Sequence, residues 1–236
     1  MKASSNPWHQ LQCATDEDCV IACADHIAQS ITRVLQQQDR ISLFVSGGKS
    51  PAPVFSRLST MALPWKRVDI FLVDERWAPD DSDDRNETLV KLCLLQANAR
   101  SATFHPLYAE GELTQTIDSL NLQTQAIAYP DIVMLGMGLD GHTASLFPDS
   151  DDYPAAMEST DHFVVVQPKS APYTRISMSF HWIKSAQEII FFLPGMDKQA
   201  ALTQFLADRT QASPVVSLLD AIPERINLFT SGGAIP

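Results

Sequence analysis

A carboxylate and an imidazole, Asp140 and His142, stand in a glycine-rich segment that spans residues 135–148. Residues 131–135 have the apolar composition of a buried strand, so this segment follows the carboxyl end of a strand, where α/β enzymes place their chemistry. An imidazole with an unperturbed pKa of about 6.5 can take a proton from water near neutral pH. We therefore predict a general base at His142, with a histidine that only completes the turn as the alternative. Asp140 could orient His142 or cap the turn by accepting backbone hydrogen bonds.

The same segment also fits a dinucleotide-binding fingerprint. Residues 136–141 read Gly-Met-Gly-Leu-Asp-Gly, which matches G-x-G-x-x-G after a strand. That fingerprint normally opens a long helix, whereas Pro148 follows closely here. Polar groups also occupy positions where helix–sheet packing needs small apolar residues. A catalytic turn is therefore favoured over a dinucleotide site.

A second glycine-containing turn follows the apolar segment 41–45 and reads Ser-Gly-Gly-Lys-Ser over residues 46–50. Pro51 fits the first turn of a helix, so residues 46–50 would place consecutive backbone N–H groups at a helix amino terminus. Together with the hydroxyl groups and the Lys49 ammonium, this arrangement suits a phosphate group. A nucleotide P-loop would require glycine at Leu43, inside the strand, which excludes an NTPase. An ordinary strand–helix turn remains the alternative.

Length, composition and charge limit the class of protein. A chain of 236 residues with 45% hydrophobic residues can bury one complete core, so we expect a single domain over residues 1–236. The formal net charge of −11 disfavours nucleic acid and anionic lipid as partners. The amino terminus lacks the apolar core of a signal peptide, and no apolar run approaches the roughly 18 residues of a membrane span. These features predict a cytoplasmic protein with no membrane or nucleic-acid partner.

The cysteines and one acidic segment raise the question of a metal. A zinc site would need the sulfur and imidazole groups of Cys13, Cys19, Cys23 and His26. The chain has no CxxC pair, and cytosolic cysteines mostly pack in the core, so we expect packing instead. The acidic segment 80–84 lacks the ligand spacing and terminal glutamate of an EF-hand loop. We therefore predict neither a metal nor a cofactor.

Strand-like and helix-like segments alternate along the chain. The predicted strands are residues 41–45, 68–73, 131–135, 163–167, 175–178, 189–193 and 226–229. The predicted helices start at the N-cap Thr15 and near Pro51, and cover residues 86–95, 113–126 and 198–207. Such alternation is typical of a largely parallel sheet with helices on both faces. Phe147 and the tryptophans at 65, 77 and 182 are expected in the core or the wall of a pocket.

A series of motifs resembles the 6-phosphogluconolactonase family. The motifs are residues 46–51, 74–77 (Asp-Glu-Arg-Trp), 135–148, 168–169 with Pro172 and 175–177, and 195–198 (Gly-Met-Asp-Lys). The resemblance implies an α/β fold, a Rossmann-like three-layer sandwich of the sugar-phosphate isomerase/deaminase type. It also implies hydrolysis of 6-phospho-D-glucono-1,5-lactone to 6-phospho-D-gluconate in the pentose phosphate pathway. Glucosamine-6-phosphate deaminase, related by fold, carries Asn-Glu-Pro where this chain has Leu-Phe-Pro at 146–148.

The resemblance extends to individual residues. His142 would be the base and Asp140 its orienting partner. Arg76 would hold the oxyanion or the phosphate, unless it pairs with an adjacent carboxylate. The implied ligands of the substrate and its phosphate are Gly47, Gly48, Lys49, Ser50, Arg175 and Lys198. A δ-lactone carbonyl is already electrophilic, so positioned water, a base and oxyanion stabilisation suffice without a metal, a cofactor or a covalent intermediate.

Other functions remain open at this level. A glucosamine-6-phosphate deaminase or isomerase would use a similar cleft, and a non-catalytic protein could bind a sugar phosphate. The expected partner is a small phosphorylated lactone, and the chain is expected to be a monomer or a weak homo-oligomer.

Overall fold

The computed structural model describes residues 7–79, 82–109 and 111–232. The strands are β1 (His9–Cys13), β2 (Ile41–Val45), β3 (Val68–Leu72), β4 (Asp74–Arg76), β5 (Thr103–His105), β6 (Ile132–Leu135), β7 (Phe163–Val166), β8 (Arg175–Met178), β9 (Glu188–Leu193) and β10 (Ile226–Ser231). The helices are α1 (Asp16–Leu35), α2 (Ala52–Ser59), α3 (Asn86–Cys93), α4 (Leu113–Thr124), α5 (Tyr153–Glu158), α6 (Phe180–Lys184), α7 (Met196–Ala207) and α8 (Pro214–Ala221). Among the residues described, no helix is long and apolar enough to span a bilayer.

A seven-stranded parallel sheet forms the centre of the molecule, in the order β1-β10-β9-β6-β2-β3-β5. Every residue of β2, β6 and β9 is buried, so both faces of the middle of the sheet are covered. On the covering elements, α2 contacts α1 and α3, while α8 contacts α6 and α7. The predicted α/β three-layer architecture is confirmed.

The first helix shows how the local sequence determines an element. The Thr15 side chain accepts a hydrogen bond from the Asp18 N–H at 3.0 Å, which confirms the predicted N-cap. Its apolar face packs against β1, β10 and α2. Cys19 and Cys23 are buried on this helix. In the described part of the chain, no group of three or more His, Cys, Asp or Glu side chains is arranged to hold a metal ion.

The predicted largely parallel sheet is confirmed, but segments 163–167 and 175–178 lie outside it. β7 and β8 are antiparallel to each other and join β4 in a separate three-stranded sheet. The chain leaves the parallel sheet at Val73, whose N–H donates to the Val45 carbonyl while its own carbonyl accepts from the Met178 N–H. Short apolar strands of the two kinds have the same composition, so the sequence pattern did not separate them.

The loops that carry the predicted site follow neighbouring strands. β9, β6, β2 and β3 are adjacent and parallel, so their carboxyl ends lie at the same end of the sheet. From β2 the chain continues to β3 on one side, and β6 later adds to the other side. The strand order therefore reverses between β2 and β6. Open α/β sheets form their ligand-binding crevice at such a point.

Candidate active site

A cleft of about 530 Å³ opens at the carboxyl ends of β2 and β6. It is lined by every residue that the sequence predicts for the site: Gly47, Gly48, Lys49, Ser50, Arg76, Asp140, His142, Arg175 and Lys198. Asp74, Asn86 and Ser145 also line it, although the sequence analysis assigns them no role. The candidate base and the candidate phosphate ligands therefore share one space, although they come from distant parts of the chain.

His142 and Asp140 form a hydrogen-bonded pair in the turn after β6. Asp140 Oδ1 lies 2.6 Å from His142 Nδ1 and 3.4 Å from the backbone nitrogen of His142. Burial alone would raise the pKa of Asp140, but the hydrogen bonds and charge of His142 outweigh it and lower that pKa. Because an ionised carboxylate only accepts hydrogen bonds, we assign the ring proton to Nδ1, which leaves the Nε2 lone pair free. Asp140 thus both orients the ring and caps the turn.

Close contacts fix the plane of the imidazole. A Cβ atom at Gly138 would lie 2.3 Å from Asp140 Oδ1 and 2.3 Å from His142 Nδ1, so only glycine fits beside the pair. The Phe147 ring stacks on His142 with centroids 4.1 Å apart and 26° between the planes. Phe147 is buried and forms part of the cleft wall, as predicted. His142 Nε2 has no hydrogen-bond partner among the described residues.

Residues 46–50, called the anion loop below, offer unpaired backbone donors. The N–H groups of residues 47–50 donate no hydrogen bond to any described residue. The N–H and Oγ of Ser46 both donate to the Met134 carbonyl, at 3.1 and 3.0 Å, which ties the start of the loop to β6. Gly48 has φ +85°, a conformation that L side chains rarely adopt. Successive free N–H groups ahead of α2 make a concavity suited to an anion.

Lys198 reaches the anion loop from the first turn of α7. Its Nζ lies 3.0 Å from Ser50 Oγ. Burial lowers the pKa of Lys198. No carboxylate of the described residues lies within ion-pair distance of this ammonium. A half-buried cation without a counter-ion favours an anionic ligand at this position.

Arg76 and Arg175 are register partners across β4 and β8. Burial lowers the pKa of Arg175; the charge of Asp74 opposes this change and that of Arg76 adds to it. Both Nε atoms are buried and have no partner within the described chain. Arg76 Nη1 donates to the Asp84 carbonyl, and among the described residues no ion pair joins Arg76 to Asp74 or Glu75. The guanidinium groups therefore retain unpaired donors beside the cleft.

A buried carboxylate beneath the cleft escaped the sequence analysis. Glu75 accepts hydrogen bonds from the backbone N–H groups of Arg76, Asn86 and Glu87 at 2.7, 2.7 and 2.8 Å. It thereby caps α3 from outside the helix, because the N-cap Arg85 makes no side-chain cap. Burial raises the pKa of Glu75 to about 6, although these hydrogen bonds oppose the rise. The only signal in the sequence is a carboxylate pair at the end of a predicted strand.

Other side chains singled out by the sequence lie away from the chemistry. Lys169 pairs with Asp151 and does not line the cleft. Trp65 and Trp182 are buried in the core, and Trp77 packs against the Tyr108 ring. Asp80 and Asp81 of the acidic segment lie outside the described residues.

Together these features define an α/β protein with a cleft for a small anionic ligand, in which free N–H groups and unpaired cations stand beside a histidine–aspartate pair. Residues 14–225 match the family of glucosamine-6-phosphate isomerases/6-phosphogluconolactonase. The chain therefore belongs to this family, as its motifs predict.

Individual relatives cover most of the chain. It is 34% identical over 204 residues to a 6-phosphogluconolactonase of Helicobacter pylori, covering 86% of this chain and 89% of that protein. It is 35% identical over 213 residues to a 6-phosphogluconolactonase of Mesorhizobium japonicum, covering 89% of each. The crystal structure of a 6-phosphogluconolactonase from Shewanella baltica matches with a TM-score of 0.90 at 32% identity, covering 95% of this chain and 98% of that one.

Proposed function

We propose that this chain hydrolyses 6-phospho-D-glucono-1,5-lactone to 6-phospho-D-gluconate, the second step of the oxidative pentose phosphate pathway. The observation that carries the proposal is that the His142–Asp140 pair and the anion loop line the same cleft of about 530 Å³. A space of that size suits a small phosphorylated sugar. The relatives named 6-phosphogluconolactonase, at 34% and 35% identity, support the same activity.

The first step needs a base that activates water. The Nε2 lone pair of His142 takes a proton from a water molecule that attacks the lactone carbonyl. Asp140 holds the ring through Nδ1 at 2.6 Å and stabilises the imidazolium that forms. A positioned base of this kind contributes a rate factor of about 10²–10⁴.

The negative charges of the substrate require the unpaired donors. The anion loop, Lys198 and Arg175 hold the phosphate, because they offer free N–H groups and cations without carboxylate partners. Lys49, at the rim of the cleft, adds to the positive potential. Arg76 stabilises the oxyanion of the tetrahedral intermediate, a contribution of roughly 10²–10³ in rate for one donor. The ring oxygen then leaves and takes the proton from His142.

No covalent intermediate is needed. Thr143 and Ser145 are the hydroxyl residues of the cleft lining that lie nearest to His142 in the sequence. Ser145 Oγ donates to Asp74 Oδ2 at 2.6 Å, and Thr143 Oγ1 donates to the Gly136 carbonyl at 2.7 Å. Neither hydroxyl is hydrogen-bonded to the imidazole, which supports direct attack by water.

The test follows lactone loss coupled to 6-phosphogluconate dehydrogenase, corrected for the spontaneous rate. The proposal expects turnover well above that rate for the phosphorylated lactone. Ammonia release from glucosamine 6-phosphate would indicate a deaminase instead. Saturable binding of 6-phosphogluconate without turnover would indicate a non-catalytic binding protein. The cytoplasmic location, the single domain and a monomer or weak homo-oligomer remain predictions from the sequence.

A further inference from the structure

The Asn86 side chain lies between the anion loop and Asp74. Asn86 is 2% exposed and begins α3. Its Nδ2 lies 2.8 Å from the Asp74 carbonyl oxygen and 3.3 Å from Asp74 Oδ1. Both partners are acceptors, which fixes the orientation of the amide and directs its oxygen away from Asp74. That oxygen is buried without a partner among the described residues. A buried unsatisfied acceptor destabilises a fold, so its presence requires a reason.

The anion loop rests against this amide at Gly47. A Cβ atom at Gly47 would lie 1.8 Å from Asn86 Oδ1 and 2.0 Å from its Cγ. The φ of Gly47 is outside the positive range, so its backbone conformation would accept an L residue. Contact with Asn86 is therefore what excludes a side chain. Gly48 is the opposite case, because a Cβ there would meet nothing within 4 Å but its φ is +85°.

Asp74 connects the same amide to the catalytic turn. Asp74 Oδ2 accepts a hydrogen bond from Ser145 Oγ at 2.6 Å. Ser145 follows His142 by three residues and is fully buried. A continuous series of contacts therefore runs from Gly47 through Asn86 and Asp74 to the turn that carries His142.

We propose that Asn86 is a positioning residue that sets the spacing between the anion loop and the catalytic turn. This inference rests on the proposed function, because the spacing matters only if a phosphate and a reacting carbonyl are held together. The Asn86 amide supports the loop on one side and holds Asp74 on the other. Without it, the loop loses its support, and the phosphate is held less tightly and farther from the optimal position.

Inorganic phosphate provides a test that does not require turnover. The full chain and the variants N86A and N86D are titrated with phosphate by NMR, and thermal unfolding verifies that each is folded. N86A removes the support, and N86D places a carboxylate oxygen against the Asp74 acceptors at nearly constant volume. Both are expected to weaken phosphate binding at least tenfold. N98A is the matched control, since the Asn98 amide also donates to a backbone carbonyl, that of Thr60 at 2.8 Å, but does not line the cleft.

Kinetics separate positioning from a general loss of structure. For a folded N86A or N86D variant, kcat/KM for the phosphorylated lactone should fall at least tenfold relative to kcat/KM for unphosphorylated gluconolactone. Phosphate affinity within twofold of wild type in either folded variant would refute the role of Asn86. A wild-type chain that binds phosphate but does not hydrolyse the lactone would reject the proposed function alone.

A mutant cycle tests the contact itself. G47A should weaken phosphate binding at least tenfold, and so should N86G, which removes the support of the loop. Because N86G also removes the atoms that the new methyl group meets, G47A should cause no further loss in the N86G background. G48A should instead add its own loss to that of N86G, because its strain comes from φ. If G47A does not fold, recovery of a folded G47A/N86G protein is the equivalent result. Additive losses in G47A/N86G, or its failure to fold where N86G folds, would contradict the proposal.

Discussion

The two ends of the parallel sheet differ in how their charged groups are satisfied. At the amino end, Asp131 accepts hydrogen bonds from the Ser42 N–H at 2.8 Å and from the Gln38 amide at 2.9 Å. Glu188 contacts His26 at 2.5 Å and Arg33 at 2.7 Å. At the carboxyl end, among the residues described, the Lys198 ammonium has no carboxylate partner and the N–H groups of residues 47–50 donate to no other group. The charged groups named at the amino end are satisfied by protein atoms, whereas the unpaired donors at the carboxyl end suit the anionic ligand that we propose.

Cavity size does not reveal this difference. A second cavity of about 560 Å³ lies near the amino end and is as large as the cleft. In this cavity, Arg40 and His105 both contact the Asp69 carboxylate, at 2.7 and 2.9 Å. Unsatisfied donors therefore distinguish the two cavities, whereas their volumes do not.

The largest effect is expected for His142→Ala. Loss of the base should lower kcat for the phosphorylated lactone by about 10²–10⁴ with little change in KM. His105→Ala is the matched control, because His105 also pairs with an aspartate, Asp69, but lies outside the cleft. It should leave kcat within about twofold of wild type. Unchanged turnover of H142A in the coupled assay would remove His142 from the mechanism.

Lys198→Met should weaken substrate binding without lowering the stability of the fold. Loss of a charge-assisted hydrogen bond to the phosphate should raise KM for the phosphorylated lactone roughly 10- to 100-fold, and spare unphosphorylated gluconolactone. Because the ammonium is half-buried without a carboxylate, removing its charge should leave the free energy of unfolding unchanged or raise it. Urea unfolding and kinetics on both lactones test this. Equal kinetic losses on both substrates would refute contact with the phosphate.

Contiguous parts of the site could be predicted from the sequence because each carries its own local signal. The anion loop and the turn around His142 follow apolar strands and are rich in glycine, which marks turns in a sequence. Contacts between motifs have no such signal. Ser145 and Asp74 are 71 residues apart, and their hydrogen bond depends on how β4 packs beside the turn after β6. The contact of Asn86 with Gly47 likewise depends on the position of α3.

Elements of the fold are likewise predictable from the sequence only where they carry a local signal. The strands of the parallel sheet that are buried on both faces, such as β2 and β9, were found from continuous apolar runs. β4 and β5 have three residues each, too few for a pattern to emerge. The short helices α5 and α6 have six and five residues, again too few for a pattern, and the edge strand β1 is largely exposed and shows no apolar run. α8, with eight largely apolar residues, was also missed because length did not separate it from a strand.

Glu188→Gln tests the amino end. Burial would raise the pKa of Glu188, but hydrogen bonds from His26 and Ser30 and the charges of His26 and Arg33 lower it. A lowered carboxyl pKa stabilises the fold above the ordinary value of 4.5 for glutamate, and this contribution is lost as the pH falls through the folded-state value. E188Q should therefore lower the free energy of unfolding by about 1–3 kcal/mol at pH 7, with a smaller difference at lower pH. Turnover should be unchanged; a loss of kcat would break the distinction between the two ends.

Glu75→Gln makes the same substitution at the carboxyl end of the sheet. Here we expect the contribution of the carboxylate to stability to fall with rising pH, whereas that of Glu188 rises. Burial raises the pKa of Glu75 to about 6, from an ordinary value of 4.5, so the folded protein binds its proton more tightly than the unfolded chain does. The contribution of Glu75 to stability is therefore present below pH 4.5 and lost as the pH rises through 6. The free energy of unfolding of wild type relative to E75Q should fall by roughly 1–2 kcal/mol between pH 4.5 and pH 7. Urea unfolding of both proteins at each pH measures this difference.

The ionised Glu75 carboxylate caps α3, the helix that carries Asn86 against the anion loop. Keeping this buried carboxylate ionised at pH 7 lowers the free energy of unfolding, and it does so at the end of the sheet where we place the chemistry. A difference that stays flat, or rises with pH as expected for Glu188, would show that both ends are satisfied in the same way.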